Sequence, residues 1–539
     1  MKLTAPPDLP AALRARFDLV ADLGEIDPGW SEDVAATAAR VVTISDFVLG
    51  VLKRFPREIA ARVADRAPLS RATLASSLDL SSRTEAEAMV DLRRVRQVEL
   101  ARIAWRDLAG FADLETTLAE LSVLAEGLIG AAAGFAEAQL GKRLRAPRDA
   151  VGKPLPLLVL AMGKLGGGEL NFSSDVDLVF LYPDAAVAAS ADAGDEPSEP
   201  EIYYVRVAQL LIKLLDQKTA DGFVYRVDAR LRPFGASGPL VVSISSFESY
   251  LVQHGRDWER YAYVKARLIT GLELEHDVFD LVLTPFVYRR YLDYGVFDAL
   301  RHMKTLIAKE VARKDMAENI KLGPGGIREI EFITQAFQLV RGGRHAELRS
   351  RSLLQALPRL AGDRQLPREA VERLVAAYRF LRALENRLQA LEDRQTHELP
   401  EDDERRARLA YALGEKSWNE LSARLRSLRE WVEWEFERVA WDAEGRGAGR
   451  AGVEVVGTAW AEGAPGAALA GTPLENDAEI AALLAELRGG SLYQRMDEVA
   501  RQRLAAVIGR TITLTRKLDA PKKALERVLP IYRAVCRRS

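Results

Sequence analysis

Cysteine is almost absent: Cys536 is the single thiol in 539 residues. An intrachain disulfide is therefore excluded, and a thiolate zinc site lacks its ligands. Histidine is scarce as well. His254, His276, His302, His345 and His397 stand apart with no HExxH spacing, so any metal is expected to be a hard cation held by carboxylates. Long apolar runs are missing too. The longest clean one, Leu155 to Met162, suits a buried strand, and no membrane span is expected. The opening residues carry prolines and acids rather than a basic and then apolar leader, which implies a cytoplasmic protein. Neither sign of charge dominates: 76 Lys and Arg face 78 Asp and Glu, a formal net charge of −2. This balance argues against bulk capture of nucleic acid or of a membrane surface, though a local basic groove stays open.

What is present is a long chain of ordinary globular composition, 48% apolar and 29% charged. It is too long for one core, so two to four domains are expected. Residues 1–150 read as helical. Ser45 caps a segment whose apolar residues Val48, Leu49, Val51 and Leu52 recur at helical spacing. In 92–110, Leu92, Val95, Val98, Leu100, Ile103 and Leu108 repeat that pattern. Arg93, Arg94, Arg96, Arg102 and Arg106 read there as a solvated basic face, with partner docking as the alternative. The texture changes near 154, and 151–270 reads as a compact α/β core. It holds strands at PLPLLVLAM and DVDLVFLY, an exposed mobile loop at 183–200, a helix from Tyr203 to Gln217 and a strand from Gly222 to Leu231. Residues 271–440 return to helical spacing. The Gly- and Ala-rich 441–472 reads as a linker, and 473–539 as helix. The class is α+β and multidomain.

The chemistry concentrates in GKLGGGELNFSSDVDLVF, residues 163–180. Side chains two apart on a strand share a face, so Asp175 and Asp177 project together. Paired carboxylates repel unless a cation lies between them, and Mg²⁺ suits such oxygens while keeping waters for substrate phosphates. Gly163, Gly166, Gly167 and Gly168 permit a tight turn whose N–H groups can approach a phosphate, and Ser173 and Ser174 add hydroxyls. A third acid is expected from GFVYRVDARLRPFG, where Val224, Arg226 and Asp228 form one alternating set. Asp228 could complete a site for two metals about 3.5–4 Å apart. Arg230 and Arg232 follow at strand spacing and could neutralise phosphate oxygens. A lone DxD is more often an exposed strand end, and a lone glycine turn is equally weak. Their adjacency, followed by a later strand carrying an acid, is what points to a site. The glycine spacing fits neither GxGxxG nor GxxxxGK[ST], which disfavours Rossmann and P-loop readings.

At these residues the chain resembles the DNA polymerase β-like nucleotidyltransferases. It is more closely similar to the bifunctional glutamine synthetase adenylyltransferase/adenylyl-removing enzymes. The carrying motifs are LRRVRQVELARIAWRDL, MGKLGGGELNFSSDVDLVF, DGFVYRVDARLRPFGASGPL, GRDWERYAYVKAR, TPFVYRRYLDY and NIKLGPGGIREIEFITQAFQL, spread over about 45–395. The resemblance implies a polymerase β-like α/β core flanked by helical domains, with Asp175, Asp177 and Asp228 as catalytic and metal-binding acids. GELNFSSDVD looks like the N-terminal, adenylyl-removing half of these two-part enzymes, whose other half reads closer to GYGSDLD. The terminal KKALERVLPIYRAVCRRS is similar to the joint before that other half, so a truncated fragment is expected.

The implied reaction is phosphorolysis, in which orthophosphate attacks adenylyl-tyrosine on glutamine synthetase and releases ADP. Mg²⁺ is the implied cofactor and the uridylylated PII signalling protein the implied regulator. Adenylyl transfer from ATP and a non-catalytic regulatory module are the alternatives; a nucleic-acid polymerase is a distant one. Trp258, Glu259, Arg260, Lys265 and Arg267 read either as substrate contacts or as a packed helix. In KLGPGGIREIEF, Lys321, Arg328, Glu329 and Glu331 read as an ion-pair network. Tyr378, Leu381, Leu384 and Leu388 read as core, and His397 as surface.

Overall fold

The computed structural model describes residues 2–23, 30, 32–186, 199–289, 318–362 and 366–442, with 311, 313 and 316, and most of 456–536. Most of the expected loop at 183–200 therefore lies outside the described residues, as do residues 290–294 of the TPFVYRRYLDY motif. Two compact units result, Met1–Ala440 and Trp441–Ser539, without separate units at the expected boundaries near 150 and 270. The class is α+β: the described residues are mostly helical and hold one small mixed sheet.

The first unit opens with helices built as the sequence implied. Ser45 accepts a hydrogen bond from the Val48 amide and caps Asp46–Arg54. Thr84 and Glu87 form a reciprocal capping box at the start of Glu85–Leu108. This helix departs from expectation on its polar side. Arg93, Arg96, Arg102 and Arg106 are buried, not solvated. Burying a guanidinium costs several kcal/mol (about) unless its donors are satisfied. Partners elsewhere in the chain take up most of these donors. Arg102 and Arg106 both reach the buried carboxylate of Glu120, and Arg93 donates to the carbonyls of Gly222 and Leu214. Arg94 alone matches the solvated reading, pairing with Glu58 at the surface.

The next helix, Leu114–Leu144, corrects the expectation about membranes. Its stretch Leu114–Gly141 is long and apolar enough to cross a bilayer, and 67% of its most apolar window is buried inside the protein. Leu121, Leu124, Leu128 and Ile129 join the main core there, beside the contacts of Glu120 with Arg102 and Arg106. These features are those of a core helix.

Five short strands follow: β1 (Leu158–Ala161), β2 (Val176–Tyr182), β3 (Val227–Asp228), β4 (Val241–Ser243) and β5 (Arg267–Leu268). The order is β3-β2-β1-β5, with β4 also on β2. β1 runs antiparallel to β2 and β5, whereas β3 and β4 run parallel to β2. β1 is fully buried, as its continuous apolar run demands. The expected strand from Gly222 to Leu231 shrinks to two residues because the chain turns directly after Asp228. The helix Pro200–Asp216 covers the sheet close to its expected span. Further on, Ile327–Arg341 and Arg368–Ala390 form long helices, and Tyr378, Leu381, Leu384 and Leu388 are buried as anticipated.

The second unit has its own core around Trp460, Ile480, Leu484, Ile508 and Leu525. Much of 441–472 lies outside the described residues, but Val456, Trp460, Ala468 and Leu469 are buried. The Trp460 indole donates to the Leu484 carbonyl at 2.9 Å. These residues are packed, not linker-like. Their Gly- and Ala-rich surroundings hid one large aromatic anchor.

Candidate active site

The acids occupy the edge where β2 meets β3. Asp177 sits in β2, and the parallel register places it directly opposite Asp228 of β3. Asp175 immediately precedes β2. All three line one cavity of about 590 Å³, whose walls also include Gly163, Ser174, Arg230, Lys164, Lys265, Lys321, Arg328, Gln395 and His397. Asp228 and Asp177 therefore share a face, as strand alternation implied.

Their protonation environments differ. Burial first, and then the Asp228 charge, push Asp177 up to about 6. No hydrogen bond or ion pair from the described residues reaches its carboxylate. Asp228 is held below its ordinary value chiefly by hydrogen bonds from Arg230, whose Nε lies 2.9 Å from Oδ2. Asp175 accepts from Arg226 and, at 3.0 Å, from Gln395. Among the described residues no three acidic, His or Cys side chains are gathered into a metal cage. Two of the three acids are engaged by arginines instead. The donor set nonetheless fits a hard divalent cation: three carboxylates line one cavity, and one of them is raised by burial and then by the Asp228 charge.

The glycine turn works differently from expectation. It folds as a helical turn, Gly163–Gly166. The N–H groups of Gly166 and Gly167 are spent on the carbonyls of Met162 and Gly163. A Cβ on Gly166 would lie 2.0 Å from the Lys265 carbonyl oxygen. These two glycines serve close packing and line a different cavity, of about 730 Å³, that does not hold the acids. Gly163 is the glycine beside the site, with φ of +56° and an imagined Cβ 2.8 Å from Asp177 Oδ2. Replacing Gly163 by Ala is expected to destabilise the fold by about 1–2 kcal/mol through left-handed strain and to displace the Asp177 carboxylate. Urea unfolding checks the first effect and turnover the second; unchanged values in both would contradict this role.

Ser174 lines the cavity, its hydroxyl donating to Asn171 at 2.7 Å. Ser173 does not. It is buried and its hydroxyl donates to Asp393 at 2.8 Å, which makes it a structural tie. Arg230 lines the cavity, but Arg232 is consumed by the carbonyls of Ala229, Ala236 and Gly238, where it closes the turn. The turn after Asp228 breaks the strand spacing that would have kept both arginines on one face.

Sequence reasoning missed much of the cavity's basic lining. Lys164 donates to Glu385 at 2.6 Å and to Asn171 at 2.7 Å. Burial, the dominant cause, lowers Lys164 to about 7. His397 is not a surface residue: its Nε2 lies 2.9 Å from Glu385 and it lines the cavity. Lys265 pairs with Glu331 at 2.7 Å. Burial opposes ionisation of Glu331, yet Lys265 and Arg328 bring it down to about 2. Lys265, Arg328 and Glu331 were visible in the sequence. Gln395 lies 220 residues beyond Asp175 in sequence, and neither it nor His397 carried a local signal.

A family model described as glutamate-ammonia ligase adenylyltransferase matches residues 35–280, which contain all three acids. A second, described as GlnD PII-uridylyltransferase, matches 301–440, which contain Lys321, Arg328, Glu385 and His397. The chain is 41% identical to a bifunctional glutamine synthetase adenylyltransferase/adenylyl-removing enzyme of Thioalkalivibrio sulfidiphilus, over 98% of this chain and 56% of the relative. It is 40% identical to one of Pseudomonas putida, over 100% of this chain and 57% of the relative. Over nearly its whole length the chain is thus similar to the bifunctional glutamine synthetase adenylyltransferase/adenylyl-removing enzymes. A third member, from Nitrosococcus oceani, is 48% identical over 66% of this chain and 36% of its own length. The chain thus spans a little over half the length of the adenylyltransferase/adenylyl-removing relatives it matches most fully.

Proposed function

We propose that this chain removes the adenylyl group from a tyrosine of glutamine synthetase by phosphorolysis, on a polymerase β-like nucleotidyltransferase core. The observation that carries the reading is the registered pair Asp177 and Asp228, on one cavity wall with Asp175. In this reaction an orthophosphate oxygen forms a bond to the adenylyl phosphorus. The bond from that phosphorus to the tyrosine oxygen breaks. The phenolate takes up a proton, and ADP and free tyrosine result. Orthophosphate is already an anion at neutral pH, so the demand is for charge balance rather than a strong base. Mg²⁺ held by Asp175, Asp177 and Asp228 would supply part of that balance. Arg226 and Arg230 hold Asp175 and Asp228 on the cavity wall, and Gln395 and His397, on the irregular segment after the Arg368–Ala390 helix, also line it.

Incubation with adenylylated glutamine synthetase, orthophosphate and Mg²⁺ is expected to yield ADP and unmodified tyrosine. No ADP, with uridylylated PII signalling protein present as activator, would reject the reading. The match of 301–440 to a PII-uridylyltransferase model supports assigning a PII protein as a partner. The adenylyltransferase name of the first matching model favours a second reading, transfer of AMP from ATP to the tyrosine. Label passing from α-labelled ATP to glutamine synthetase would select it.

A further inference from the structure

The cavity carries more cationic and donor groups than its acids employ. Lys164 is taken by Glu385, Lys265 by Glu331 and Arg230 by Asp228. Lys321 and Arg328 are not so taken: neither forms an ion pair with a carboxylate among the described residues. Arg328 lies over the Phe332 ring at 5.6 Å, and its buried Nε has no hydrogen-bond partner. The Tyr261 hydroxyl is likewise buried and unpartnered, and its ring packs edge-on against the same Phe332 at 5.1 Å. The Arg328 amide donates to the Lys321 carbonyl at 3.1 Å, which brings the two cationic residues together. All three residues line the cavity that holds the acids. A buried donor without an acceptor costs about 1–3 kcal/mol. Two such donors beside an unpaired ammonium form a wall complementary to an anion with several oxygens.

We infer that Lys321, Arg328 and Tyr261 seat a tetrahedral phosphate distinct from the adenylyl phosphate: the orthophosphate that enters and the β-phosphate of the ADP that leaves. This deepens the phosphorolysis reading and rests on it for the identity of the ligand. The seat explains how an anion settles beside a wall of carboxylates. The acids attend the phosphorus being attacked, and the cations hold the attacking group. Phe332 fixes the guanidinium plane and the phenol ring, so little side-chain freedom is lost on binding.

The test is equilibrium binding of orthophosphate, ADP and AMP to the whole chain in Mg²⁺. Arg328→Gln and Lys321→Gln are each expected to weaken orthophosphate and ADP by about tenfold or more, and AMP by less than about twofold. Arg328→Lys should recover part of the loss. Tyr261→Phe, which removes only a hydroxyl, should weaken the same two ligands by about threefold. Unchanged binding of all three ligands, or an equal loss for all three, would overturn the seat. Two further outcomes separate the seat from the reaction. If Arg328→Gln releases ADP with an unaltered KM for orthophosphate, the seat is wrong and phosphorolysis stands. If Arg328→Gln selectively loses orthophosphate but the parent chain never forms ADP, the seat stands and phosphorolysis fails.

Discussion

Asp177→Asn is expected to lower ADP formation by about a thousandfold or more, because it removes the carboxylate at the centre of the acidic wall. The same variant is expected to be more stable than the parent at neutral pH. Burial and the Asp228 charge raise the Asp177 carboxyl from 3.8 to about 6 in the folded chain. A group raised in this way contributes its full stability below the unfolded value and loses it as pH rises through the folded one. Between about pH 4 and 6 the parent should therefore lose stability that the amide variant keeps, on the order of 1–3 kcal/mol. Urea titrations of both chains across that window measure the gap, and turnover assays measure the loss. A stable variant with parental turnover would remove Asp177 from the chemistry. A gap that fails to widen with rising pH would show that the carboxyl is not strained by its neighbours.

Glu385→Ala carries the largest expected stability loss, about 3–5 kcal/mol, because it leaves buried cations unpaired. The Glu385 carboxylate is fully buried and receives Lys164 at 2.6 Å, His397 at 2.9 Å and Arg382 at 3.1 Å. Burial alone would raise Glu385, but Lys164, His397 and Arg382 outweigh it and hold the group well below the ordinary carboxylate value. A depressed acid contributes stability above its unfolded pKa and loses it as pH falls through the folded one. The penalty of Glu385→Ala should therefore be full at pH 7 and shrink in acid. Chemical unfolding at pH 7 and pH 4 reads both. The variant should also lose turnover, since Lys164 and His397 on the cavity wall are both anchored by Glu385. A penalty below about 1 kcal/mol at pH 7 would mean that solvent or rearrangement replaces the lost partner.

The acids were legible because strand alternation is a local property. Asp175 and Asp177 share a face by spacing, and Asp228 could be placed beside them by its own alternating run. The helix cap at Ser45 is local too. What escaped depends on partners distant in sequence. Arg93 looked solvated because the carbonyls it meets belong to Leu214 and Gly222. His397 looked exposed because Glu385 is reached only when the chain folds back after the Arg368–Ala390 helix. Gly166 and Gly167 invited a phosphate-cradle reading, since a sequence does not reveal that their amides are already spent within a helical turn. Arg232 was misassigned for a related reason. The turn after Asp228 sends it to carbonyls and leaves Arg230 as the member of the pair beside the acids.

The central claim is that Asp175, Asp177 and Asp228 grip divalent cations against the phosphates of a nucleotide. Crystals grown with ADP and Mn²⁺, measured at the manganese edge, test it most directly. The account predicts anomalous density within coordination distance of the Asp177 and Asp228 carboxylates, with the ADP phosphates lying between those acids and the Lys321 and Arg328 wall. Nucleotide and manganese lodged elsewhere, with Asp175 and Asp228 still tied to Arg226 and Arg230, would contradict it.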